Sequence, residues 1–157
     1  MGRWAALVPA FAVLAACGPA GSGTASLELG TGTFRFQELQ DGDQVDLVRG
    51  AQGGWHVWLS LRTLGLPGQE ASLLIGMERA DGTRPPDETQ VDIRLGLPND
   101  DGERLMLGWP AIVAEPGCYV GRLVRLSVRL AADNGAVLTD ERDLRYGAGA
   151  DPPPPCE

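Results

Sequence analysis

Few residues in this chain could do covalent or metal chemistry: one histidine, His56, and three cysteines, Cys17, Cys118 and Cys156. A type 1 copper site needs two histidines and a cysteine. Structural zinc needs four cysteines, or two cysteines with two histidines. Neither set can be assembled from these residues. All thirteen basic residues are arginine, so no Schiff base or lysine nucleophile is available within the chain. A serine–histidine pair must lie within hydrogen-bond reach. Ser60 shares a strand face with His56, but four residues along a strand is roughly 13 Å. Ser72 and Ser127 stand outside any GxSxG context. Cys118 with His56 would be a thiol nucleophile pair, and the carboxylates are numerous enough for a hydrolytic acid pair. The acidic turn Asn99-Asp100-Asp101-Gly102 offers oxygens to calcium but lacks the spaced ligands and distal glutamate of a recognised loop. The expectation is no metal, no cofactor and no catalytic residue. A carboxylate-based hydrolase is the least favoured alternative.

The cysteines separate by context. Arg3 gives the chain a short positive start, and Trp4–Leu14 (WAALVPAFAVL) is an apolar run too short to span a bilayer as a stable helix. It ends in Leu14-Ala15-Ala16-Cys17, a tetrad that resembles a bacterial lipobox. The resemblance implies a signal peptide over 1–16, diacylglycerol transfer to the Cys17 thiol, cleavage after Ala16 and acylation of the new amino terminus. Two or three acyl chains give an anchoring that one chain alone does not sustain. Residues 17–24 then form a lipidated, Gly- and Ser-rich tether. Gly18 stands where an aspartate would retain a lipoprotein at the inner membrane, so the resemblance favours the outer membrane. In an exported protein the remaining pair, Cys118 and Cys156, is expected to form a disulfide.

These residues must be positioned by strands. From Ser26 onward apolar residues recur mainly with period two. Trp55, Val57, Leu59 and Leu61 alternate with His56, Trp58, Ser60 and Arg62. Ala71, Leu73, Ile75 and Met77 form a second stripe, Val91, Ile93 and Leu95 a third, and Val124, Leu126, Val128 and Leu130 a fourth. Asp41-Gly42, Asp81-Gly82, Asp101-Gly102 and Asn134-Gly135 supply turn chemistry, the last joining roughly 122–132 to 136–146. Further strands are expected over 33–39, 44–49 and 103–109. Seven to nine short strands with regular turns predict an all-β domain over 25–147. The predicted form is an antiparallel immunoglobulin-like or fibronectin-like sandwich, with a jelly roll or small barrel as the alternative. Residues 148–157 form a Pro-rich tail that cannot pair in a sheet.

The most distinctive local text is Gly50-Ala51-Gln52-Gly53-Gly54-Trp55-His56-Val57. It resembles a GxQGGxHV segment of small uncharacterised lipoproteins of GC-rich Gram-negative bacteria. That resemblance implies shared architecture and no known activity. Gly53-Gly54 would bend the chain so that Trp55 enters the core, leaving His56, Trp58 and Arg62 on the opposite face. Such a face could hold a glycan or a partner protein. The same spacing is met if a loop or the second sheet covers Trp58 and His56 is hydrogen-bonded at the strand end. The formal charge of -8 over 157 residues repels phosphate backbones and makes nucleic acid an unfavourable partner. The sequence thus predicts a membrane-anchored envelope lipoprotein that binds or adheres without catalysis. The alternative is an accessory subunit of an envelope complex.

Overall fold

A computed structural model describes residues 24–156; the lipobox and Cys17 lie outside the described residues. Ten strands run in chain order: β1 (Ser26–Thr31), β2 (Gln37–Glu38), β3 (Gln44–Asp46), β4 (Val48–Arg49), β5 (Trp55–Leu64), β6 (Glu70–Arg79), β7 (Asp87–Arg94), β8 (Glu103–Val113), β9 (Leu123–Ala132) and β10 (Val137–Gly147). They form two sheets. In the first, β5 is central, with β8 along one side and β1 and β4 sharing the other, β2 lying beyond β1. In the second the order is β3-β10-β9-β6-β7, all antiparallel except β3 with β10.

Alternation explains both sheets. In β9, Val124, Leu126, Val128 and Leu130 are buried while Leu123, Arg125 and Arg129 are exposed, the pattern of a strand with one wet face. β6 buries Ala71, Leu73, Ile75 and Met77 beside them. From the other sheet come Leu27 and Leu29 of β1, Val57, Leu59 and Leu61 of β5, and Ala111 and Val113 of β8. Each large aliphatic taken from water stabilises by roughly 1.5–3 kcal/mol, and the two stripes can do so only against each other. The fold is therefore an antiparallel β-sandwich. Its strand order, with β1-β5-β8 facing β3-β10-β9-β6-β7, is that of an immunoglobulin-like domain.

Several details depart from the periodicity. The segment 44–49 is two strands on different sheets: β3 pairs with β10 and β4 with β5, and the chain crosses between sheets at Leu47, which is fully buried. Segment 33–39 contributes only Gln37–Glu38, because Gly32 adopts φ +101° and turns the chain over the outer face of β5. β1, whose short Ser26–Thr31 text carries little alternation, pairs with β5 from Ser26↔Leu64 to Gly30↔Ser60. The β9–β10 connection keeps its glycine in the left-handed region (Gly135, φ +85°), while Asn134 caps Ala136 N through its side chain at 3.1 Å.

A short 3-10 turn, Pro116–Cys118, links β8 to β9. Directly after it Tyr119 is wholly buried and donates its hydroxyl hydrogen to Asp87 Oδ2 at 2.7 Å. A tyrosine at this corner is a familiar feature of immunoglobulin-like sandwiches, but there its hydroxyl bonds to nearby backbone. Here it ties the corner to the start of β7. Burial, reinforced by the Asp87 carboxylate, pushes the Tyr119 phenol above its ordinary range, so it stays a donor. Past β10 the tail forms no strand among the described residues, and Cys156 is joined to Cys118 by a disulfide, with Cα atoms 4.5 Å apart.

Candidate functional site

His56, Trp58 and Arg62 share the outer face of β5, as the alternation requires, but each meets a different environment. His56 is only 6% exposed. It packs edge-on against Trp58, ring centroids 4.5 Å apart, and a Cβ on Gly50, in the loop leading into β5, would meet the ring at 3.7 Å. Its Nε2 is buried without a hydrogen-bond partner. The strand-end hydrogen bond considered for it is therefore not made at this nitrogen; the ring packs against the Trp58 indole instead. Burial alone lowers its pKa, which keeps the imidazole neutral.

Trp58 remains half-buried beside exposed Pro110, its register partner on β8, and one step along lies Ile112, which is 54% exposed. Arg62 is engaged elsewhere. It donates through Nε to Glu28 Oε2 at 2.8 Å, lies 3.9 Å from Glu38 and 3.8 Å from Glu103, and stacks over Phe36 at 4.6 Å. The Glu28 hydrogen bond raises its already high pKa. Three carboxylates thus converge on a single guanidinium. Between Trp58 and Arg62, Ser60 is fully buried; it donates to Gly32 O at 2.7 Å and accepts Gly108 N–H at 3.1 Å. The face divides into an apolar end at Trp58, Pro110 and Ile112 and an ion-paired end at Arg62.

The outer face of the other sheet has a different character. Gly76 pairs with Ser127 and Glu88, and Ser127 with Glu141, so a row crossing four strands has two small residues at its centre and a glutamate at each end. The result is an open depression of about 480 Å3 bordered by Leu74, Arg129, Thr139, Glu88 and Glu141. Ser127 lies there, on the opposite sheet from His56. Ser72 accepts a hydrogen bond from Gln90 at 3.0 Å. Cys118 is bonded to Cys156 and so offers His56 no thiol. In the acidic turn, Asn99 Oδ1 accepts the N–H groups of Asp101 and Glu103 at 3.1 and 2.8 Å, which commits that oxygen to shaping the turn. No group of three or more His, Cys, Asp or Glu comes together for a metal among the described residues.

One constellation was not visible in the sequence. Arg84, from the link between β6 and β7, reaches the disulfide: Nη1 lies 3.0 Å from Cys118 Sγ and 3.8 Å from Cys156 Sγ, while Nη2 donates to the Glu115 carboxylate. Thirty-four positions separate Arg84 from Cys118, and no motif announces the contact.

Fold and surface together define an immunoglobulin-like β-sandwich with an apolar patch on one outer face and a disulfide-clamped tail. No protein family, no curated protein and no solved structure matches the chain.

Proposed function

We propose that this protein is a lipid-anchored module of the bacterial cell envelope that binds a partner protein without catalysing a reaction. The observation that supports it most is the division of its three cysteines. Cys118 and Cys156 are joined, as suits folding in an oxidising compartment, and the remaining cysteine is the one in Leu14-Ala15-Ala16-Cys17. Lipid on Cys17 holds the domain at a membrane, the outer one being favoured, and the tether of residues 17–24 carries the sandwich away from it.

The binding face is the outer side of β5 and β8, where Trp58, Pro110 and exposed Ile112 present aromatic and aliphatic surface. Tryptophan and isoleucine in that setting suit an apolar protein contact with a polar rim. An accessory role in a larger envelope assembly draws support from the same exposed residues together with Phe34, 94% exposed in the loop that turns over β5.

A photo-crosslinking residue at position 112, introduced into the full chain in intact cells, tests the face. A discrete protein adduct is expected from 112 and none from position 129 on the opposite sheet. Adducts only from 129 would contradict the assignment. The anchor is tested separately: a Cys17→Ser chain is expected to lose palmitate label and leave the detergent phase. Retention of both by that variant would refute the anchor while leaving the binding face open to its own test.

A further inference from the structure

The tail between β10 and Cys156 is laid on bare backbone. A Cβ on Gly149 would fall 2.1 Å from the Leu47 carbonyl oxygen, and one on Gly117 would fall 1.9 Å from the Pro154 carbonyl oxygen. Pro152 to Pro155 have no amide hydrogens with which to form a ladder. The disulfide ties the end of the tail covalently to the body, and its two sulfurs are unequal. Cys118 is 4% exposed at the corner between β8 and β9, whereas Cys156 is exposed at the tail's end. Beside them an open groove of about 240 Å3 runs between Glu115–Pro116 and Pro154–Pro155.

The charges around the bond are unequal too. The Arg84 guanidinium sits closer to the buried sulfur, 3.0 Å against 3.8 Å. Glu115 opposes it, with Oε2 3.6 Å from Cys118 Sγ and also bound to Arg84. In thiol–disulfide exchange the thiolate attacks the accessible sulfur, and the reaction is faster when the departing thiol has a low pKa. A cation beside a sulfur lowers that pKa.

We infer that Cys118–Cys156 is an exchangeable disulfide, opened by a dithiol reductant that attacks Cys156 while Cys118 departs as a thiolate held against Arg84. The donor's first thiolate forms a bond to Cys156 Sγ, and the Sγ–Sγ bond breaks with its electron pair going to Cys118. The donor's second thiolate then attacks its own sulfur in the mixed disulfide. This expels Cys156, which takes a proton from water, and the donor leaves oxidised by two electrons. Opening removes the covalent tie between residues 148–156 and the corner, while the strand pairings of β10 with β9 and β3 persist.

The test is the rate at which excess dithiothreitol reduces the full-length protein, read by trapping thiols with a maleimide. Losing a charge beside the departing sulfur is expected to change the rate by roughly threefold. Arg84→Gln is expected to slow reduction by at least that factor. Glu115→Gln, which removes the opposing charge, is expected to speed it. A brief pulse of glutathione quenched with acid should leave the adduct on Cys156. If Arg84 serves only to clamp the corner, its loss loosens the bond and reduction becomes faster. Equal or faster reduction of Arg84→Gln, slower reduction of Glu115→Gln, or an adduct on Cys118 would each overturn the proposal.

Discussion

At the residue scale, His56 is the most informative position, because it is buried and its Nε2 has no compensating partner. Its pKa in the folded protein lies below the ordinary 6.5. Below that ordinary value the unfolded chain binds a proton that the folded one does not. Stability is therefore full above about pH 6.5 and falls as the pH drops toward the lowered value. Thermal melts of the wild type are expected to show a falling Tm between about pH 7 and pH 5. In His56→Phe the acid-side decline should shrink, with stability at pH 7 changed by less than about 1 kcal/mol, since no hydrogen bond at Nε2 is lost. Identical pH profiles for the two proteins would show that His56 is not desolvated as described. Arg62, three carboxylates and Phe36 illustrate the opposite case, a charged side chain whose surroundings meet its needs and leave it little for a ligand.

At the element scale, glycines decide where the chain may bend or be overlaid. Gly135 holds the β9–β10 turn at φ +85°, so Gly135→Ala is expected to cost about 1 kcal/mol in denaturant titration. Gly117→Ala collides with the Pro154 carbonyl, which only the tail can relieve by moving. The alanine variant should therefore oxidise more slowly and melt lower than wild type. It should match wild type once both are reduced. The disulfide closes a loop with a sequence separation of 38, for which chain entropy gives a stabilisation of about 4 kcal/mol. Cys156→Ser is expected to lose a large part of that. A loss below about 1 kcal/mol would mean the tail is fastened by other contacts.

How far these elements could be read from residue order depends on what each relies upon. The stripes in β5, β6 and β9 were legible because one face of each is core and the period is two. The sheet switch at Leu47 was not, since β3 and β4 are too short to carry a pattern and are fixed by their neighbours. β1 is likewise defined by its pairing with β5. On the candidate face, alternation placed His56, Trp58 and Arg62 together. It could not show that Glu28 and Glu103 draw the arginine aside, because those contacts come from distant segments.

At the scale of the whole molecule, the sandwich separates two surfaces with different chemistry. The β5/β8 face has an apolar end with Ile112 and Trp58, and the β6/β9/β10 face has a shallow polar depression over Gly76 and Ser127. β8 pairs only with β5 among the described residues, and Pro110 removes an amide donor from that strand. A proline on an edge strand discourages pairing with a further strand, so side-chain contact is the mode expected on this face. Under the proposed anchoring at Cys17, the anchor sets which way either face points in the cell. The most direct measurement is the intact mass, with amino-terminal peptide mapping, of the protein recovered from the membranes of a Gram-negative host. The account predicts a chain that begins at Cys17 and carries two or three fatty acyl groups, with Cys118 and Cys156 joined. A chain retaining residues 1–16, or one beginning elsewhere with an unmodified Cys17, would contradict it.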